Sequence, residues 1–152
     1  MRGKRWVEMS TALFVALASP ECANFESPEP TPLEISLIIV PVVIVSRDAT
    51  STPPKVSCPH RVTARAVGGR RGDESLWVGG QSVWTFAGGG ADTSTWSQAD
   101  VLTFFRVNLS AGEIATWQVP HQWLPAYTVT HRIRYRVVGG EEKTATVTLT
   151  CE

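Results

Sequence analysis

Hydrophobic and polar residues alternate most strictly between Tyr127 and Cys151. In the first arm Tyr127, Val129, His131, Ile133, Tyr135 and Val137 share one phase, and Thr128, Thr130, Arg132, Arg134 and Arg136 share the other. In the return arm Ala145, Val147, Leu149 and Cys151 alternate with threonines. A period of two puts such sets on opposite faces of a strand, and Gly139-Gly140 between the arms supplies the backbone freedom of a tight turn. The pattern predicts a β-hairpin with an apolar inner face and a basic outer one. A weaker alternation, Val62, Ala64 and Ala66 against Arg61, Thr63 and Arg65, marks a strand within 56–67. Two short strands at 76–78 and 82–86 joined by a turn at Gly79-Gly80 are expected next. A strand at 101–109, apolar in both phases and so covered on both faces, and one at 114–119, stopped by Pro120, complete the set. The glycine-rich 88–95 and the segment 121–126 read as loops.

Ahead of this pattern the chain changes character. Residues 1–23 have a basic start (Arg2, Lys4, Arg5), an apolar stretch over 9–18 and small residues at Ala16, Ala18 and Ala23, which is the composition of a secretory signal. Residues 24–55 read as a linker, acidic and broken by Pro28, Pro30 and Pro32, with a second linker-like piece over 47–55. Inside it lies the most hydrophobic run, 33–45, rich in isoleucine and valine around Pro41. A membrane span needs about 20 such residues, so this run is too short for one. Its β-branched content predicts a strand buried on both faces, and Pro41 restricts that strand to an edge or a break. Exposed, it would invite aggregation, so a domain or oligomer contact is expected to cover it. Residues 56–152 form the expected domain.

Composition narrows the function classes. Fourteen basic and 14 acidic residues cancel in a chain of 152, which removes the global electrostatic case for nucleic acid. Glycine (12) and proline (10), set among threonine, valine and six tryptophans, favour strands joined by turns. Of the three cysteines, Cys22 lies in the leader region, and an exported chain is expected to join Cys58 to Cys151 in a disulfide.

The run Trp84-Thr85-Phe86-Ala87-Gly88-Gly89-Gly90, followed later by Tyr127-Thr128-Val129 and the alternating hairpin, resembles polycystic-kidney-disease (PKD) domains and related immunoglobulin-like modules. The resemblance implies an all-β chain: an immunoglobulin-like antiparallel β-sandwich of about seven strands. It also implies an interaction or spacer module, secreted, periplasmic or at a cell surface, without a catalytic site.

Candidate chemistry is local. Cys58, His60, His121, His131 and Cys151 are the possible metal ligands, but none has the short spacing that preorganises a site, and neither a metal nor a cofactor is expected. His131, on the apolar face of the hairpin, reads as a hydrogen-bonded core histidine. Nothing resembles a nucleophile elbow or paired carboxylates, so no enzyme activity is expected. Arg71-Gly72-Asp73 spells an adhesion tripeptide, and Asn108-Leu109-Ser110 a glycosylation sequon. Arg132, Arg134 and Arg136 stand on one strand face, with Arg61 and Arg65 as possible neighbours from another strand. Such a ladder suits an acidic protein or glycan partner, or is simply a solvated face balanced by Glu141 and Glu142. Trp96 and Trp123, read as loop residues, are the candidates for sugar stacking. The functional expectation is an exported, non-catalytic binding or structural module that meets a protein or glycan through the loops 88–95 and 121–126. The alternative is a self-assembling structural subunit, of a filament or capsid, that uses 33–45 as its intersubunit contact.

Overall fold

The structure, a computed structural model, describes residues 29–41 and 45–152, so the leader expected at 1–23 lies outside the described residues. In chain order the elements are β1 (Glu34–Pro41), β2 (Ser46–Asp48), β3 (Lys55–Ser57), β4 (His60–Val67), β5 (Glu74–Phe86), β6 (Ala91–Ser97), α1 (Gln98–Phe105), β7 (Leu109–Ser110), β8 (Ile114–Val119), β9 (Leu124–Pro125), β10 (Tyr127–Val137) and β11 (Glu142–Cys151). The fold is all-β, with one short helix. Its main sheets have the orders β1-β4-β8 and β11-β10-β5-β6, with β7 added to β5, and a small sheet β2-β3-β9 lies beside them. All the recorded strand pairs are antiparallel.

The two main sheets meet through their alternating inner faces. Ile35, Leu37, Val62, Ala64 and Ala66 from one pack with Trp77, Ile133, Tyr135 and Ala145 from the other. A second cluster of Val56, Cys58, Tyr127, Val129 and Cys151 fills the end nearest the small sheet. Cys58 and Cys151 are joined there, with Cα atoms 6.0 Å apart. The open side of the sandwich is tied by Tyr135, whose hydroxyl accepts a 3.0 Å hydrogen bond from the Ile35 N–H.

The hairpin forms as its alternation requires. β10 and β11 pair from Tyr127 opposite Cys151 to Arg136 opposite Glu142, and every inner position from Tyr127 to Tyr135 is buried. β10 also pairs along its whole length with β5, which places β10 inside the larger sheet and leaves β11 at its edge.

Several expectations are corrected. The segment expected as a strand at 101–109 is instead the helix α1 for most of its length. Ser97 caps it: its hydroxyl accepts from the Asp100 N–H, and the Asp100 carboxylate accepts from the Ser97 N–H. This reciprocal box satisfies donors that a helix start leaves open. Val101 and Phe105, four residues apart, then point into the core, where Phe105 lies 5.1 Å from the Trp77 ring. The helix ends at Arg106 in the left-handed conformation, with φ 67°.

The two short strands expected around a Gly79-Gly80 turn are one 13-residue strand, β5, and the loop expected over 88–95 is mostly β6. The true turn lies between them, where Gly89 and Gly90 take φ near 90° and the Phe86 N–H reaches the Gly90 carbonyl. The strand within 56–67 is divided: β3 ends at Ser57 and β4 starts at His60, because Pro59 has no N–H to continue a ladder. The stretch 47–55, read as linker, begins in β2 and ends in β3.

Over residues 33–41 the apolar run is likewise part of the sandwich and not of a linker, while 42–44 lie outside the described residues. β1 pairs with β4 through eight positions and buries Ile35 and Leu37, with Leu33 buried just before it. It is not buried on both faces as expected: Ile38 and Val40 are about half exposed, at 47% and 48%. Its position at the end of the sheet order fits a strand carrying Pro41, since an edge strand has one unladdered side. Among the described residues no helix is long and apolar enough to cross a membrane.

Candidate functional site

Strand alternation turns Arg132, Arg134 and Arg136 of β10 outward, opposite the inward His131, Ile133 and Tyr135. The register then builds rows across the sheet. One row holds Thr146 on β11, Arg132 on β10, Gln81 on β5 and Thr95 on β6. The next holds Thr144, Arg134 and Gly79, so its third place carries no side chain.

At this point the pairing of β5 with β10 slips by one residue, between Arg134 and Tyr135. That is a β-bulge, and the glycines make it sterically possible. A Cβ on Gly79 would lie 2.8 Å from the Trp96 carbonyl oxygen and 3.0 Å from Nη2 of Arg134. One on Gly80 would lie 2.7 Å from the Arg132 carbonyl oxygen and 2.9 Å from the Ile133 side chain. With both side chains absent, the Arg134 guanidinium lies across the neighbouring strand. A hollow of about 390 Å³ remains on the outer face, lined by Gln81, Thr95, Trp96, Arg132, Arg134 and Thr144 above the Gly80 backbone. This is within the usual size range of small-ligand sites.

Nη1 of Arg134 donates to Oε1 of Glu142 at 3.0 Å. Both side chains are substantially exposed, at 50% and 36%, so the pair contributes at most about 1 kcal/mol to stability and serves chiefly to orient the guanidinium. Arg132 has no ion-pair partner among the described residues. The hollow thus offers one oriented and one free cationic fork, an amide and two hydroxyls, a set able to bind a hydroxyl-bearing anion.

Of the residues singled out from the sequence, Arg132, Arg134 and Trp96 come together here. Trp96 does so from a strand and not from a loop. Its ring packs edge-on to Trp117 and Phe104, with centroids 4.7 and 5.3 Å away, and so is committed to the inside of the sandwich. Arg136 lies on the same face, two residues nearer the hairpin turn and outside the hollow. Trp123, 45% exposed, stands at the other end of β10, where its ring is 5.1 Å from that of His121. Arg61 and Arg65 belong to β4 in the other main sheet and do not extend the ladder. Gly79, Gly80, Gln81, Thr95 and Thr144 went unrecognised. A signal for the first two existed: the inner phase runs Ser75, Trp77 and then shifts by one to Gly80, Ser82, which is what a bulge does and a turn does not.

The histidines form a different structure. Nδ1–H of His60 donates to the Cys58 carbonyl at 2.8 Å, which leaves its Nε2 as an acceptor. Nε2 of His131 lies 2.9 Å away and must donate to it, so Nδ1 of His131 is bare and accepts from the Ser82 hydroxyl at 2.5 Å. One carbonyl therefore dictates every proton along a chain that crosses the core from β4 to β10 and β5. His60, His131 and Ser82 are buried, and the Trp117 ring stands edge-on at 5.1 Å from His131. Burial holds His60 below the usual histidine range. Burial, and then repulsion from a charged His60, hold His131 down to about 3. The core-histidine reading of His131 agrees with this geometry.

The five conceivable metal ligands do not converge. Cys58 and Cys151 are bonded to each other, His121 bonds Ser57, and among the described residues no three His, Cys, Asp or Glu lie close enough to share an ion. In Arg71-Gly72-Asp73 the aspartate accepts from the Arg70 N–H at 2.7 Å and closes its own turn. In the sequon, Oδ1 of Asn108 accepts from the Trp77 N–H at 3.1 Å, so that amide is engaged by the sheet.

No known family pattern matches the chain, and no curated protein matches it. Among solved structures, the crystal structure of Northeast Structural Genomics Consortium target SoR45 is similar over 77% of this chain and 85% of that one, with 11% identity and a TM-score of 0.48.

Proposed function

We propose that this chain is an exported, non-catalytic immunoglobulin-like module whose larger sheet presents a binding face at a cell surface or in the extracellular space. The observation that carries this reading is the hollow between Arg132 and Arg134, built by a two-glycine bulge on an exposed sheet face. The strand orders support the immunoglobulin-like comparison: β11-β10-β5-β6 has the sequence G-F-C-C′ of a variable-type sheet, and β1-β4-β8 the sequence A-B-E. The disulfide between Cys58 and Cys151 supports an oxidising location. Ser57 and Ser82, the hydroxyls that bond histidines, are fully buried, which favours binding over nucleophilic chemistry. Two measurements test the reading. Mass spectrometry of protein recovered from its source should find a chain shortened within the first 23 residues and the disulfide intact. Binding of the recovered protein to its cell or matrix surface should fall in the Arg132→Gln/Arg134→Gln variant. An unprocessed, reduced chain would remove the exported module from consideration.

The second reading, a self-assembling subunit, rests on β1. This strand ends its sheet with one side unladdered and exposes Ile38 and Val40 on its outward face. An added strand from a second copy would cover part of this surface. A monodisperse monomer in light scattering at high protein concentration would eliminate it.

A further inference from the structure

We infer that the hollow on the larger sheet is a binding site for a carboxylate-bearing sugar of the uronate class; this rests on the reading of that sheet as a binding face. The charge, the geometry and the polar lining each narrow the choice. Arg132 and Arg134 are cationic and Glu142, bonded to Arg134, is anionic, so the immediate site has one net positive charge. A single carboxylate neutralises it, whereas a phosphate dianion would be left in excess beside Glu142.

Guanidinium forks match carboxylates by paired N–H donation, which favours that group over an isolated hydroxyl. The Arg134 fork is also held in place. Glu142 takes Nη1 of Arg134 at 3.0 Å, and the bare Gly79 leaves room for Nη2, within 3.0 Å of where a Cβ would stand. Arg132, without an ion-pair partner among the described residues, is the free fork of the two.

Around these cations the lining is neutral and hydrogen-bonding: Gln81 and Thr95 on one side, Thr144 on the other. Amide and hydroxyl groups both donate and accept, as the hydroxyls of a sugar ring require. A space of about 390 Å³ suits one or two rings and not an extended polymer groove. Trp96 contributes its backbone and ring edge but no free stacking face, since its ring is packed on Trp117 and Phe104. Polar contacts must therefore carry recognition, and a neutral sugar, which could use only the hydroxyl-type contacts, is disfavoured.

Titration calorimetry of the disulfide-bonded protein with methyl galacturonide, which carries one carboxylate, tests the site, with methyl galactoside and its singly sulfated form as comparison ligands. The inference predicts binding of the uronate only, weakened about tenfold or more in Arg132→Gln and in Arg134→Gln, because a hydrogen bond to a charged group is lost in each. Arg61→Gln, on the other main sheet, should bind as the parent does. Unfolding midpoints of all variants should match the parent's, which separates loss of the site from loss of the fold. Equal binding of the sulfated sugar would overturn the carboxylate assignment, equal binding of the neutral one the charge argument, and no uronate binding the inference itself. Failure here together with a surface interaction still sensitive to Arg132→Gln/Arg134→Gln would leave the binding-face reading standing with a different ligand class. If that variant changes no interaction, both fall.

Discussion

His60 and His131 show how far one buried carbonyl can determine chemistry. Both are neutral in the folded chain, with depressed pKa values, His131 down to about 3. In the unfolded chain they titrate near the free value of about 6.5, so as pH falls past that value the unfolded state takes up protons first. Stability is fully present above pH about 6.5 and is lost as pH falls, by up to about 1.4 kcal/mol per pH unit for each histidine. Urea midpoints measured between pH 7.5 and 5 should follow this slope. In His131→Phe the slope should become shallower, while stability at pH 7.5 drops because the Ser82 hydroxyl and Nε2 of His60 lose their partners, at about 1–3 kcal/mol each. An unchanged slope in that variant would mean that the pair is not the acid-sensitive element. The phase of the strand pattern already placed His131 inside, and His60, read only as a conceivable metal ligand, shares the phase of Val62 and Ala64. That they meet nose to nose at 2.9 Å depends on how the two sheets face each other, which no single strand encodes.

At the scale of elements, α1 is the part of the fold that local reading missed. Residues 101–109 alternate well enough for a strand, and Val101 with Phe105 also fits one helix face. The deciding signal was Ser97-x-x-Asp100, a capping box that a loop reading of the preceding glycine-rich stretch concealed. Two substitutions measure the element. Ser97→Ala should cost about 1 kcal/mol through the lost cap, and Phe105→Ala about 3–5 kcal/mol through the cavity left beside Trp77, both read from denaturant midpoints. A Phe105→Ala cost no larger than that of the cap would place α1 outside the core. β1 makes the complementary point: its composition predicted an apolar strand, but only the two-layer packing, which covers one face of its sheet, made it single-sided.

For the whole molecule, the disulfide links the residue after β3 to the last residue of β11 across 93 positions and so closes a loop that holds β4 to β11. In the chain-entropy picture a loop of that length restricts the unfolded state by about 4–5 kcal/mol. Reduction, or the Cys58→Ser/Cys151→Ser variant, should lower the unfolding free energy by that order, seen as a shift of the denaturant midpoint with and without reductant. A midpoint indifferent to reductant would show that the bond contributes nothing to the fold's stability.

What the sequence determined by itself was whatever repeats at short range. Strict alternation sets each strand's inner and outer faces, Gly139-Gly140 allows the hairpin, and Pro41 confines its strand to an edge. These follow from sterics and burial within a few residues of chain. Tertiary structure decided whatever depends on register between strands distant in sequence. It aligned Gly79 with Arg134, set Gln81 beside Arg132, and turned an apparent glycine turn into the floor of a hollow. The physical reason is that a row across a sheet is a property of pairing, fixed by packing the two inner faces together, and neighbours in such a row share no local pattern.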